Sequence, residues 1–147
     1  MVPTSVRQCF LFYNSSANKF KWILNKDYLH CLLLVFSPLS MAVGVYGLQH
    51  EGIRNTINPC NDFYKYVKCL SKSSSLTSYI IIDRRVPPRR KYCLLKLNTC
   101  SDVIRDISGV NIAVAVTPKQ LYDKIILNKN PNYSIIKVWN RKLHGES

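Results

Sequence analysis

The stretch Tyr28–Leu48, YLHCLLLVFSPLSMAVGVYGL, decides how the rest of the chain is read. Its 21 residues contain no Lys, Arg, Asp or Glu. At about 1.5 Å per residue a helix of this length spans roughly 30 Å, the thickness of a bilayer core. His30, Ser37, Pro38 and Ser40 weaken the span. Ahead of it lie Arg7, Lys19, Lys21 and Lys26 against one acid, Asp27. Cationic flanks stay in the cytoplasm, so the expectation is a single-pass membrane protein whose C-terminus is extracellular. Two readings compete with an anchor. Leu32–Val43 has the length of a signal-peptide core, with Ala42/Gly44 or Val45/Gly47 as small cleavage residues, which would make the protein secreted. Alternatively, the run is a buried helix of a soluble domain.

The rest of the 147-residue chain is read around that segment. An apolar content of 47% argues against wholesale disorder, and five Gly with seven Pro exclude collagen-like sequence. The net charge is +13, of which +10 lies in residues 49–147. That balance suits an anionic partner such as a sulfated glycan, an acidic protein face, or nucleic acid. The division expected is a basic leader (1–27), a signal-anchor or signal helix (28–48), a short motif segment (49–70) and a small α+β tail (71–147).

The cysteines fit a translocated tail. Cys60, Cys69, Cys93 and Cys100 follow the apolar run and could form two disulfides in any of three pairings. Their spacings of nine and seven lack the tight Cys-x-x-Cys pairs of structural zinc sites. Asn132-Tyr133-Ser134 is a glycosylation sequon on the same side.

Local patterns give a mixed fold class, α+β: an N-terminal apolar helix and then a small cysteine-containing domain. Residues 49–59 read as a linker closed by Asn58-Pro59. A helix opens at Asp62–Val67, capped by Asn61 or Asp62. Ser71–Ser78 is a loop, Ser78–Ile82 a strand, and Tyr92–Leu97 a second strand across a basic turn. A helical turn over Asp102–Ile107 ends at Gly109. Val110–Val116 alternates and reads as the best strand, and Thr117-Pro118 starts a helix with Leu121, Ile125 and Ile126 on one side. Ile135–Trp139 is a final strand.

Chemistry is hard to seat in this sequence. The cluster Arg84, Arg85, Arg89, Arg90 and Lys91 suits anionic glycans or a processing site; its few neighbouring aromatics, Tyr79 and Tyr92, disfavour a nucleic-acid platform. His50-Glu51-Gly52-Ile53-Arg54 starts like HExxH, but Arg54 stands where the second zinc-binding His is required. No Gly-x-Ser-x-Gly elbow or phosphate-binding glycine loop is present, so no catalytic and no metal residue is assigned and no cofactor is expected in this chain.

One string is specific. Asn58-Pro59-Cys60-Asn61-Asp62-Phe63-Tyr64-Lys65-Tyr66-Val67, followed by Cys69, resembles the opening signature of the neprilysin family of zinc metallopeptidases. Pro59, Cys60, Asp62, Phe63, Tyr64, Tyr66 and Cys69 carry the match. The family places this signature shortly after a signal-anchor helix, in a membrane-bound endopeptidase that uses zinc. Lys68 is inserted between the cysteines, Leu70 replaces a Gly, and the likeness ends by Ser71. The resemblance implies a fragment or inactive relative of a neprilysin-like peptidase, since HExxH is missing. The alternative is a small, secreted, basic, disulfide-containing binding protein.

Overall fold

Residues 28–48 fold as strands. The computed structural model describes residues 5–14, 27–49, 52–85, 100–113, 115 and 117–142. In chain order these form β1 (Ser5–Tyr13), β2 (His30–Ser37), β3 (Ala42–Gln49), β4 (Gly52–Pro59), α1 (Phe63–Leu70), β5 (Leu76–Arg85), α2 (Cys100–Ser108), α3 (Pro118–Leu127) and β6 (Tyr133–Asn140). The six strands make one sheet in the order β4-β3-β2-β1-β5-β6, and each neighbouring pair is antiparallel.

The expected N-terminal apolar helix is therefore corrected to the β2–β3 hairpin, and the fold to a mostly antiparallel sheet with short helices. Among the described residues no helix is long and apolar enough to cross a membrane. The physical reason lies in how the sheet is covered. Cys31, Leu33 and Val35 of β2 pack with Ile104 of α2 and Leu121 and Ile125 of α3. Leu32, Leu34 and Phe36 pack on the other side with Phe63 and Val67 of α1. A strand buried on both faces loses its alternation and reads as one continuous apolar run, as a membrane helix does.

The residues that weakened the span are the ones that make the hairpin. Ser37–Met41 turns the chain; Pro38 is poorly suited to a helix interior, and Met41 takes a left-handed φ of 51°. Across the hairpin, a Cβ on Gly47 would collide with the side chain of Leu32, so a glycine permits the close approach. The expected linker is corrected as well, because residues 52–59 pair with β3 as β4.

Other local readings agree with the sequence. Asp62 caps α1 by accepting from the Lys65 amide at 3.1 Å, and Phe63 and Val67 face the sheet. Thr117 and Gln120 form a reciprocal capping box on α3, with Pro118 in its first turn. Gly109, at φ 78°, closes α2. Residues 110–113 and 115 are the exception, for they take no strand partner. Their alternation is real: Val110, Ile112 and Ala115 are buried, while Asn111 and Ala113 are exposed. Side chains replace the ladder there. The Asn111 amide donates to Asn132 Oδ1, and Arg105 donates to the Ile112 carbonyl. The expected strand Tyr92–Leu97 lies outside the described residues.

Candidate functional site

The elements that assemble a candidate site are α2, α3 and one rim of the sheet. Helix α2 is held at both ends. Near its start, the buried Ser101 meets the buried Cys31 of β2, with Sγ 3.9 Å from Oγ. At its end, Gln8 of β1 donates to the Ser108 carbonyl at 3.1 Å. Gln8 pairs with Val35, and Phe12 with Cys31, so α2 runs along β2 in the same direction. Nine helical residues rise about 12–14 Å, close to the distance from Cys31 to Val35 along a strand.

Helix α3 begins at the same rim. Lys119, in its first turn, sits 4.7 Å from the ring centre of Tyr28 and 5.0 Å from that of Tyr122. Phe12, Tyr28 and Tyr122 contact one another edge-on or tilted, with centroids 5.1–5.7 Å apart. Burial pushes the Tyr122 hydroxyl above its ordinary pKa. The other end of α3 lies by Tyr133, whose hydroxyl donates to the Ile125 carbonyl. Two helix N-termini, each a partial positive charge, thus converge where β1 ends and β2 begins.

The chemistry-bearing residues at that rim were not assembled by sequence reasoning. His30 is the first residue of β2, opposite Tyr13, and half-buried. Cys31 follows it, and Cys100 and Ser101 open α2. His30 is paired with Tyr13 inside the ladder, so alternation gives it the α1 face with Tyr13 and gives Cys31 the α2 face. The available signal was a Thr-Cys-Ser-Asp start to a short amphipathic helix; reading Cys100 only as a disulfide partner concealed it.

The predicted site residues are placed as follows. Pro59 ends β4, and the Cys60 amide donates to the Met41 carbonyl. Phe63 stacks on Phe36 with centroids 5.3 Å apart. The Tyr64 hydroxyl accepts from Arg7, and the Tyr66 hydroxyl accepts from Asn58. Together with Asp62 as cap and Cys69 exposed in the last turn, every residue of the motif sits in or beside α1. Cys60 and Cys69 carry free thiols, and burial pushes the Cys60 thiol up. Cys93 and the side chain of Cys100 lie outside the described residues, as do Arg89, Arg90, Lys91, His50 and Glu51. Arg84 and Arg85 end β5 instead of opening a turn. Asn132 Nδ2 donates to the Gly109 carbonyl at 3.0 Å, so glycosylation of that nitrogen would compete with a structural bond.

Among the described residues no group of three or more His, Cys, Asp or Glu side chains could hold a metal ion. No family model, no curated protein and no solved structure matches this chain. What defines the molecule is thus its architecture: a six-stranded antiparallel sheet with α1 on one face and α2 and α3 on the other.

Proposed function

We propose that the chain is a fragment or inactive relative of a neprilysin-like membrane zinc endopeptidase. What supports this reading is the string Asn58–Cys69, in which Pro59, Cys60, Asp62, Phe63, Tyr64, Tyr66 and Cys69 match the signature of that family.

The test is the coding sequence around codon 68 and downstream of codon 147. A continuing frame that carries further family signature with HExxH supports a fragment of an active peptidase, the same frame with HExxH lost supports an inactive relative, and an unrelated continuation overturns the reading. The alternative is a small, secreted, basic, disulfide-containing binding protein, which four free thiols in secreted material would reject.

A further inference from the structure

The outer strands of the sheet, β4 and β6, are finished differently. On β6 the pairing with β5 shifts register between Ile81 and Ile82, so Ile136 has no opposite residue, and Lys137 follows it. A shift of register and a lysine are devices that keep an edge from pairing further. On β4 neither is present. Its residues, GIRNTINP, pair with β3 from Pro59 to Gly52 without a break, and Arg54 is their single charge. Among the described residues nothing pairs with the outer side of β4.

One bond fixes the hydrogen-bond phase of β4. The Cys60 amide donates to the Met41 carbonyl at 2.8 Å. Successive residues of an antiparallel strand direct their amide and carbonyl groups to alternate sides. Arg54, Thr56 and Asn58 therefore turn these groups toward β3, while Ile53, Asn55 and Ile57 turn theirs outward. Pro59 falls in the outward set, where its missing N–H costs the β3 ladder nothing. Ile57 pairs with Gly44, which pairs with Val35, so it lies on the α2–α3 side of the sheet, and it is 76% exposed.

We infer that β4 pairs with β4 of a second copy of this chain, antiparallel and about a two-fold axis between the two Asn55 residues. In that register Asn55 faces Asn55, and Ile53 faces Ile57 on either side. Every outward donor then meets an outward acceptor, and Pro59, which has no donor, falls beyond the last exchanged pair. Arg54 falls opposite Thr56, so the only cation of the strand never meets its own copy. The exposed Ile57 gains an apolar residue opposite it. A register that satisfies itself so fully fits a second copy better than an unrelated extended peptide, and it joins the two sheets into one. The pairing does not depend on descent from the peptidase family.

Sedimentation velocity of the full chain over a range of concentrations tests this, at a salt level that screens the repulsion between two chains of charge +13. A reversible dimer is expected, with the amides of Ile53, Asn55 and Ile57 protected from hydrogen exchange only where the dimer is populated. Asn55→Pro removes an outward N–H and leaves the β3 ladder whole. It should keep the urea midpoint of the monomer and raise the dimer Kd roughly thirtyfold, the worth of two net hydrogen bonds. Thr56→Pro, whose N–H points to β3, should instead destabilise the fold. If Asn55→Pro does not fold, Ile57→Lys, which puts a cation on the edge and leaves the backbone alone, must weaken the dimer. A chain that stays monomeric throughout leaves the edge to some other extended segment and overturns the inference. A dimer of unchanged affinity in folded Asn55→Pro or in Ile57→Lys, exchange at the three amides that ignores concentration, or a stable Thr56→Pro overturns it too.

Discussion

The two faces of the sheet are built to different plans. The face under α1 is packed mainly with apolar side chains, and a cavity of about 470 Å³ lies at its edge beside Arg7, Phe36, Pro38 and Asp83. Cys9, Leu11, Leu34, Val43 and Ile81 meet Phe63 and Val67, and the paired side chains Arg7 and Asp83 are bound at 2.7 Å through two parallel bonds. A single helix covers this face, with Lys68 in its last turn. The opposite face carries two helices that start together, so their dipoles reinforce instead of cancelling. It also gathers the Lys119–Tyr28–Tyr122 cluster. One face stabilises the sheet; the other leaves an electropositive rim open. The two faces differ in helix number and direction more than in residue content, since each buries at least one thiol.

The strongest test of that contrast removes one large side chain from each face. Phe12→Ala should cost about 3–5 kcal/mol by urea denaturation and shift the NMR signals of Tyr28 and Tyr122. Phe63→Ala should cost a similar amount and leave those two rings unmoved. Disturbance of the rim rings by Phe63→Ala would break the separation of the faces.

An alkaline limb comes next. Burial, aided by Cys9 and Tyr66, pushes Tyr13 up to about 12. The unfolded chain ionises this phenol near 10. The neutral form is therefore favoured in the fold, its contribution is whole below about pH 10, and it is lost as pH rises toward about 12. Urea midpoints should fall across that window by about 2 kcal/mol, and Tyr13→Phe should flatten the fall.

Asp83→Asn should cost about 1–2 kcal/mol, because a half-buried bidentate pair loses its charge while Arg7 keeps its own. Equality with an exposed ion-pair variant such as Asp123→Asn would show the α1 face to be more solvated than its packing implies. The smallest effects separate the helix caps. Thr117→Ala should lose about 1 kcal/mol and Asp62→Ala somewhat less, since only α3 has the reciprocal box.

How far the sequence spoke depends on whether a signal was local. Asp62, Thr117-Pro118 and Gly109 act on their own turns, and their helices stand where the caps place them. Ser78–Ile82 and Ile135–Trp139 also read correctly as parts of β5 and β6, for β-branched and aromatic runs suit a pleated surface. Tyr28–Leu48 misled because apolarity on both faces reports burial without saying what buries. Val110–Val116 misled in the opposite sense: its alternation holds over residues 110–113, but Asn128, Asn130 and Asn132 around Asn111 supply the bonds that a neighbouring strand would have given. The rim was invisible because it joins Cys31 to Ser101 across seventy residues, and only the topology of the sheet draws them together.

The place of β1 has a consequence for how the molecule comes into being. It comes first among the described strands, yet it lies inside the sheet, with β2 on one side and β5 on the other. The β1–β4 meander can close as soon as residue 59 has been synthesised, whereas the second edge of β1 waits for Leu76–Arg85. Throughout that interval an apolar edge, Cys9-Phe10-Leu11-Phe12, stands unpaired and ready to capture any other extended chain. Synthesis of the segment from Cys60 to Arg85 is thus a window of vulnerability to aggregation, and slow translation there would lengthen it.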